Sequence, residues 1–428
     1  MTSEEIAVQC CVAGGGPAGM MLGLLLARAG VEVLVLERHA DFLRDFRGDT
    51  IHPSTLEVMH EIGLLEDFLK LPHQRVYQLN AQVGGIEVPI ADFTHLPTRC
   101  RFVAFMPQWD FLNFLADQAG RLPSFALRMQ TGVTGLVERS GRVAGVRATG
   151  PGGPLEVQAA LVVGADGRHS VVREQAGLQV DEFGAPMDVL WFRLSRSPGD
   201  PGQTMGRFDA GRILVTINRG EYWQVGYVIP KGSLDEVRGA GLDGFRETIA
   251  ALAPFARDRV RELRTWDDVK LLTVRVDRLR RWYRPGLLCI GDAAHAMSPV
   301  GGVGINLAIQ DAVAAANVLA APLREERHTT GDLRRVQRRR ELPTRVTQRL
   351  QIIVQRRIIT RVLGRRGDRL QLPLALRLLA RFPPLRRIPA RLIGIGVRPE
   401  HVRAPNAPAR AGRGSWSVES GSAKEKPR

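Results

Sequence analysis

The sequence predicts an α/β fold with a largely parallel sheet, an inserted β-sheet domain and a basic helical C-terminal segment. Two observations support the first part of this prediction. The first 40 residues alternate strand, glycine-rich turn, helix and strand, and similar patterns return in two later blocks. Between these blocks, residues 77–99 and the region after residue 188 show short alternating runs typical of antiparallel strands. The third observation is that the C-terminal quarter is rich in arginine.

The composition is that of a large folded protein. Its 428 residues are 44% hydrophobic and 24% charged, which is sufficient for two or three domains. The four cysteines have neither a disulfide framework nor a metal-ligand spacing, and the nine histidines are scattered, so we predict no metal site. The acidic N-terminus runs directly into a strand pattern rather than a signal peptide, which predicts a cytoplasmic protein.

The net charge of +16 belongs to one part of the chain. Residues 322–428 contain 27 Lys and Arg against 8 Asp and Glu, a balance of +19, which leaves −3 for residues 1–321. A neutral body with a basic end does not by itself indicate a nucleic-acid-binding protein.

The first motif is the glycine-rich turn GGGPAG at residues 14–19, between a strand pattern and an apolar helix pattern. In a Rossmann-like βαβ unit such glycines permit a tight turn, a close approach of a pyrophosphate and close helix–strand packing. The phosphates then lie at the positive end of the helix. We therefore predict a dinucleotide site rather than a purely structural turn. Its residues are Gly14, Gly16, Pro17, Ala18 and Gly19.

An acidic residue ends the second predicted strand. Glu37 follows the β-branched run of residues 31–36, where a carboxylate can accept hydrogen bonds from a ribose diol. This favours FAD or NAD over NADP at this position. Arg38, next to it, is included in the predicted site.

Two later motifs favour a flavin. Asp292, in GDAAH at residues 291–295, follows a buried strand pattern, where an Asp can hold a ribityl or ribose hydroxyl. The glycine-rich stretch 301–304 opens a long helix, whose N–H groups suit the electron-rich edge of a flavin ring and would stabilise reduced flavin. The alternative is a glycine-rich turn with Asp292 as a helix cap. A further motif, GADGRHS at residues 164–170, places Asp166 at a strand end.

These motifs, in this order, make residues 6–345 similar to the group A flavoprotein monooxygenases, the para-hydroxybenzoate hydroxylase-like family. The resemblance implies a Rossmann-like FAD-binding domain of that type with an inserted substrate sheet. We expect an FAD-binding domain from residues 1–76, 100–182 and 276–345, a substrate-binding β-sheet domain from 77–99 and 183–275, a basic helical segment at 346–403, and a disordered tail at 404–428.

The resemblance also implies roles for single residues. Arg47 would lie against the flavin pyrophosphate and the route of the nicotinamide cofactor, and Gln108 near the ribityl–phosphate region. Asp292 would bind the ribityl chain, and Pro299 would lie beside the flavin ring. Val303 departs from the Gln of many members. The pyrimidine edge would contact Gly302, Gly304, Ile305 and Asn306, and Asp166 and Gly291 complete the expected FAD site.

The chemistry implied by the resemblance is reduction of FAD by NADH or NADPH, followed by oxygen transfer through a flavin C4a-hydroperoxide. We expect hydroxylation or epoxidation of an aromatic, polyketide-like or lipophilic molecule. The sequence has no second GxGxxG and so shows no separate nicotinamide domain, and the resemblance implies that the nicotinamide binds transiently. One alternative is a reductase of the same fold that saturates isoprenoid double bonds. The other is a non-catalytic flavin-binding module whose basic tail docks on a membrane or nucleic acid. A halogenase is disfavoured, because VGYVIP at residues 225–230 lacks both tryptophans of the WxWxIP motif.

Two features stay open at this point. The aromatic residues of the predicted substrate sheet either line an apolar pocket or form its core, and no substrate base can be chosen. In the basic segment, residues 346–362 and 374–382 carry apolar side chains every four positions beside arginines. Such a stripe favours packing on the FAD domain, the alternative being peripheral membrane contact. Nucleic-acid binding is not expected, because aromatics are nearly absent between the arginines. The aromatic candidates are Trp191, Phe192, Phe208, Trp223 and Tyr227, and the apolar stripe comprises Val346, Leu350, Val354, Ile358, Val362, Leu374, Leu378 and Phe382.

Overall fold

The computed structural model describes residues 4–43, 50–202, 204–364, 373–404 and 406. Its mixed α/β architecture confirms the predicted fold class. The strands are β1 (Glu4–Ala13), β2 (Val33–Leu36), β3 (Thr50–Ile51), β4 (Gln74–Val76), β5 (Gln78–Val83), β6 (Ile86–Asp92), β7 (Val103–Phe105), β8 (Phe125–Arg128), β9 (Gly132–Arg139), β10 (Arg142–Gly150), β11 (Gly153–Gly164), β12 (Val180–Glu182), β13 (Met187–Ser195), β14 (Met205–Asp209), β15 (Arg212–Asn218), β16 (Tyr222–Pro230), β17 (Lys270–Leu272), β18 (Asp277–Leu279), β19 (Tyr283–Arg284) and β20 (Leu287–Cys289).

The helices complete the described secondary structure. A π-helical turn, Gln355–Ile359, joins the ninth and tenth helices. The helices are α1 (Pro17–Arg28), α2 (Pro53–Glu61), α3 (Leu65–Phe68), α4 (Gln108–Ala119), α5 (Val171–Gln175), α6 (Leu234–Gly239), α7 (Gly241–Leu252), α8 (Gly304–Arg324), α9 (Thr330–Val354), α10 (Thr360–Leu363), α11 (Leu374–Arg381) and α12 (Arg387–Gly394).

The first sheet has a parallel centre in the order β20-β11-β1-β2-β8. Its strands are apolar on both faces because helices cover the sheet, and α1 is buried along almost its whole length between the sheet and α8. The helix α8 and the turn before it, Val300–Arg324, are long and apolar enough to cross a membrane, but 89% of the apolar window is buried inside the protein. This helix therefore belongs to the core.

The second sheet has the order β17-β13-β16-β15-β14-β5-β6 and is antiparallel except for the β14–β5 pair. One face packs on α7 through a core that includes Phe192, Trp223 and Phe245. The other face contributes Trp191 and Ile217, which border the cleft between the two sheets. Two small sheets, β3-β7-β4 and β12-β18, lie where the chain passes between the large ones.

The predicted apolar stripe of the C-terminal segment is buried in part, since Val362 is 6% exposed and other members are open to solvent. The helix α9 runs without a break across the predicted boundary at residues 345/346. Its buried face carries glutamines, whereas Leu350 of the expected apolar stripe is 40% exposed. The stripe on α11 is also exposed, with Leu374 at 72% and Phe382 at 51%. The predicted disordered tail, apart from residues 404 and 406, lies outside the described residues.

Candidate functional site

A cleft with a cavity of about 380 Å³ lies between the carboxyl ends of the first-sheet strands and the inner face of the second sheet. This is where ligands bind in open α/β sheets. The turns after β1, β2, β11 and β20 and the loop before α8 line it from the first sheet.

The glycine-rich turn after β1 shows why its residues are glycines. Gly14 has φ +104°, and a Cβ there would lie 2.5 Å from the Ala165 carbonyl oxygen. A Cβ on Gly19 would lie 1.9 Å from the Gly14 carbonyl oxygen, so this glycine allows α1 to pack closely. Gly16 differs from both: a Cβ there would meet nothing within 4 Å, and the residue faces the cavity. The space beside the Gly16 Cα is therefore free for a ligand to approach the backbone closely.

Two helix N-termini point toward the cavity without a side-chain cap. Gly16 is the N-cap of α1 and Val303 the N-cap of α8, and neither helix start is satisfied by a side-chain acceptor. Gly304 and Ile305, in the first turn of α8, line the cavity. Uncapped N–H groups together with the helix dipole favour an anionic or electron-rich ligand at both ends.

Glu37 lies in the cavity wall, with its carboxylate already engaged by the protein. Its Oε2 accepts a hydrogen bond of 2.9 Å from the Gly15 N–H, and its Oε1 contacts the His39 ring. Burial alone would raise the pKa of this carboxyl, but the hydrogen bonds from His39 and Gly15 hold it below its ordinary value. Glu37 is therefore ionised at neutral pH and ties the glycine turn to the end of β2.

Two acidic residues, Asp292 and Asp166, line the cavity. Asp292, on the 3₁₀ turn Gly291–Ala293, is 3.7 Å from the Arg168 guanidinium and lines the cavity. Asp166 accepts a hydrogen bond from the Val172 N–H through Oδ2, while its buried Oδ1 has no partner among the described residues. Burial raises the pKa of the Asp166 carboxyl.

The loop from Met297 to Gly302 forms part of the cavity wall. Met297, Ser298, Pro299 and Gly302 line the cavity. Gly302 has φ +63°, and its carbonyl accepts a 3.0 Å hydrogen bond from the Thr50 hydroxyl. The backbone at this turn is therefore fixed from the β3 side.

The second sheet lines its side of the cavity with side chains. Trp191 from β13, Ile217 from β15, Leu272 from β17 and the following Val274 all face the loop that carries Pro299. Of the five aromatic candidates, only Trp191 lines the cavity. Phe192 and Trp223 lie in the core on the other face of the sheet, and Tyr227 packs on Phe245 there. Phe208 does not line the cavity but packs on the apolar cluster that includes Val189 and Val274.

Most predicted FAD-site residues lie in one place. The side chain of Asn306 is an exception, because its Oδ1 accepts hydrogen bonds from Ser54 and Thr55 on α2, away from the cavity. Gly19 and Gly291 provide close packing behind the cavity wall, and Arg47 lies outside the described residues. Those that line the cavity are Gly14, Gly16, Pro17, Ala18, Glu37, Arg38, Gln108, Asp166, Asp292, Pro299, Gly302, Gly304 and Ile305.

The sequence did not indicate several lining residues. Thr131, Gly132 and Val133 follow β8 and enter the cavity beside Glu37, and only their place after a parallel strand could have indicated this. Ile217, Leu272 and Val274 carried no signal beyond being apolar.

The donor set of this cavity fits FAD. A diphosphate requires N–H donors and a backbone without side chains, which the open Gly16 and the uncapped start of α1 supply. A ribityl chain requires acceptors, which Asp292 and the unpartnered Oδ1 of Asp166 supply. The uncapped start of α8 suits the electron-rich edge of the ring.

Comparison with known proteins agrees with this geometry. The family model described as the FAD binding domain matches residues 7–350. The 6-methylpretetramide 4-monooxygenase of Streptomyces rimosus is 34% identical over 396 residues, which cover 92% of this chain and 94% of that protein. The rifampicin monooxygenase of Streptomyces venezuelae is 31% identical over 318 residues, covering 70% of this chain and 61% of that protein.

A solved structure of a hydroxylase is also similar to this chain in its fold. The anhydrotetracycline hydroxylase OxyS from Streptomyces rimosus matches with a TM-score of 0.70 at 26% identity, covering 91% of this chain and 76% of that chain. The matched family model spans both the glycine-rich turn and the Pro299 loop. The chain therefore belongs to the FAD-binding-domain family of FAD-dependent monooxygenases, as its three motifs predicted.

Proposed function

We propose that this enzyme hydroxylates a neutral, flat aromatic polyketide at the cavity between the Pro299 loop and the second sheet, using FAD, O2 and NADH or NADPH. The names of the relatives support the substrate class, because they specify 6-methylpretetramide, rifampicin and anhydrotetracycline. The wall of the cavity supports the chemical character of the substrate.

The proposal of a neutral, flat substrate rests mainly on the apolar side chains that line the cavity from the second sheet and the segment after it. Among the described residues, the second sheet and the segment after β17 contribute only apolar side chains to this cavity: Trp191, Ile217, Leu272 and Val274. An ionised substrate group facing this wall would lose its hydration without gaining a partner. A fused aromatic ring system instead gains contact area against the Trp191 indole.

Residues of the first sheet would hold the cofactor. The N–H groups at the start of α1 and the open backbone of Gly16 would bind the diphosphate, Asp292 the ribityl hydroxyls, and the start of α8 the pyrimidine edge of the ring. FAD supplies the chemistry that side chains lack: it accepts two electrons from NAD(P)H and activates O2. The remaining task of the protein is to orient the substrate and to exclude water, which the apolar wall does.

The test is turnover with isotopically labelled O2 across a panel of aromatic polyketides. We expect one O2 to be consumed per NAD(P)H when the substrate is present, and one labelled oxygen atom in the product. Product formation without O2 would identify a reductase instead. Comparing NADH with NADPH in the same assay assigns the reductant.

The proposal also includes a peripheral membrane contact through α11 and α12. Leu374 and Phe382 on the first helix and Ile388 on the second are more than half exposed. Residues 373–404 contain seven Arg and one Glu, a balance of +6, so a second copy of this surface would repel it and an anionic lipid surface would attract it. Co-sedimentation with anionic and neutral vesicles tests this. Salt-sensitive binding to anionic vesicles, lost in Phe382→Ser/Ile388→Ser, is expected, and no binding contradicts it.

A further inference from the structure

The C-terminal half of α9 and the π-helical turn after it present three buried glutamines to the Pro299 loop. Gln348, Gln351 and Gln355 recur at spacings of three and four residues, which places them on one helix face. Each is at most 5% exposed. A buried primary amide is stable only when its donors and acceptor are paired, so this face must have polar partners.

Gln351 binds the main chain on both sides of Pro299. Its Oε1 accepts a 3.2 Å hydrogen bond from the Ser298 N–H. Its Nε2 donates to the carbonyls of Ser298 and Val300, at 2.9 and 2.8 Å. One side chain therefore fixes three backbone groups within three residues.

The other two glutamines extend the same contact. Gln348 donates through Nε2 to the carbonyls of Asp277 and Ala296, at 2.7 and 3.1 Å. Gln355 donates to the hydroxyl of Ser298. The Asp277 carboxylate accepts a 3.1 Å hydrogen bond from the Ala296 N–H. Side chains thus form hydrogen bonds with the main-chain groups of Ala296, Ser298 and Val300.

The segment that the glutamines hold is also part of the cavity wall. Ala296, Ser298 and Val300 bond to the glutamines through their main chain, and Met297, Ser298 and Pro299 line the cavity. The hydrogen bonds to the glutamines therefore fix the main chain of the residues that face the cavity. The segment then continues into the uncapped start of α8.

The same helical rod also contacts the substrate side. After the π-helical turn, Ile359 and Val362 are buried in a cluster with Val189 and Val274. The Val362 carbonyl accepts a 2.9 Å hydrogen bond from the Gly211 N–H at the start of β15. One helical segment therefore contacts both the Pro299 loop and the second sheet.

We propose that Gln351 is a positioning residue, assisted by Gln348 and Gln355, which holds the Met297–Val300 main chain so that Pro299 and the start of α8 face the flavin ring in one fixed arrangement. This inference rests on the proposed FAD site. The arrangement should affect the reduction potential of the flavin. A fixed start of α8 stabilises the more electron-rich, reduced flavin more than the oxidised one, so loosening the loop lowers the affinity for reduced FAD more than for oxidised FAD.

The test compares two glutamines of the same helix. Gln351→Met removes the three hydrogen bonds at nearly constant side-chain volume. Gln337→Met is the matched control, because Gln337 is also buried on α9 and also bonds backbone groups, but these are the Trp282 N–H and the Arg280 carbonyl rather than the Pro299 loop. For each variant and the full-length wild type we would measure FAD affinity, the flavin reduction potential, the visible flavin spectrum and the melting temperature.

We expect both variants to melt earlier, with only Gln351→Met changing the flavin. Its ratio of reduced to oxidised FAD affinity should fall about tenfold, which lowers a two-electron potential by about 30 mV, and the flavin absorption band should shift. Equal potentials and spectra in the two variants would overturn the proposal and leave Gln351 a structural residue.

A second variant and the wild type keep the result interpretable. If Gln351→Met does not fold, Gln355→Met, which removes a single hydrogen bond, decides the question, and an unchanged potential in that variant overturns the proposal. A wild type that fails to bind FAD would instead contradict the proposed cofactor site, so the two failures are distinguishable.

Discussion

The two sides of the cleft are built from different parts of the chain. The proposed cofactor side consists of backbone groups, glycines and helix N-termini in the connections after β1, β11 and β20. The substrate side consists of apolar side chains from β13, β15 and the segment after β17, which sheet pairing brings together. The first side depends on local conformation, and the second on how separate strands align.

This difference has a physical origin. A diphosphate is recognised in the same way by any chain that offers N–H donors without obstructing side chains, so its site is compact in sequence. A substrate is recognised by the shape and polarity of a wall, which any set of suitable residues can form. Changes on the two sides should therefore separate cofactor binding from substrate binding.

The largest effect is expected from Gly16→Val. The new side chain fits the protein, because a Cβ at Gly16 meets nothing within 4 Å, but it fills the space proposed for the diphosphate. Loss of two charge-assisted hydrogen bonds corresponds to about 3–6 kcal/mol, so purified protein should contain almost no FAD. Gly244→Val, at an equally open glycine on α7, is the control. Normal FAD content in Gly16→Val would disprove the placement.

Asp292→Ala should weaken FAD binding next most strongly. It removes a charge-assisted hydrogen bond to the ribityl chain, which contributes on the order of 1.5–3 kcal/mol, or roughly ten- to a hundredfold in Kd. Asp292→Asn should retain part of the affinity, because its amide oxygen still accepts. Flavin titration by fluorescence measures both, and unchanged affinity in the alanine variant would remove Asp292 from the site.

Trp191→Ala should weaken substrate binding and leave FAD binding unchanged, unlike Gly16→Val and Asp292→Ala. Loss of ring stacking should raise the substrate KM about tenfold, from roughly 1.5 kcal/mol, while FAD affinity stays at the wild-type value. Trp223→Phe, on the other face of the same sheet, is the control and should affect only stability. A fall in FAD affinity with unchanged KM would contradict the division of the cleft.

Gly226→Ala tests the role of the Trp191 ring by displacing it rather than removing it. A Cβ at Gly226 would lie 2.9 Å from the Trp191 ring, so the indole must move. We expect KM to rise a few-fold without loss of FAD, and the double variant with Trp191→Ala to show no additional effect. Additive effects in the two variants would show that Gly226 does not act through Trp191.

The smallest expected effect is on the stability of the second-sheet region at low pH, measured as its melting temperature. Arg259 and the Trp223 indole N–H bond Asp200 at 2.6–2.8 Å and hold its pKa well below the usual range. A lowered pKa stabilises the fold above about pH 4, and this stabilisation is lost as the pH falls further. Asp200→Asn should melt a few degrees earlier at pH 7, with the difference shrinking toward pH 3. A difference independent of pH would contradict the account.

The residues proposed for the cofactor side could be indicated from the sequence because each belongs to a local motif. Gly16, Glu37 and Asp292 each follow a recognisable strand, and the cavity contains all three. The substrate side was harder, because Trp191 and Phe192 are neighbours on one strand and face opposite sides of the sheet. Without the register and the covering helix, no sequence pattern distinguishes the cavity face from the core face.

The helix α9 shows a second limit of sequence patterns. Its four-residue apolar repeat suggested the buried face, but Leu350 is exposed while Gln348 and Gln351 are buried. The amphipathic rule assumes that a helix packs on apolar side chains. Here the helix packs on the backbone of residues 296–300, which requires amide donors and acceptors.

The most direct test of the division of the cleft is a crystal structure of the full chain with FAD. The account predicts the diphosphate within hydrogen-bond distance of the Gly16 turn and the start of α1, and the flavin ring against Pro299 and the start of α8, with free space between the ring and Trp191. A flavin ring that fills the space against Trp191, Ile217 and Val274, or a diphosphate remote from Gly16, would contradict it.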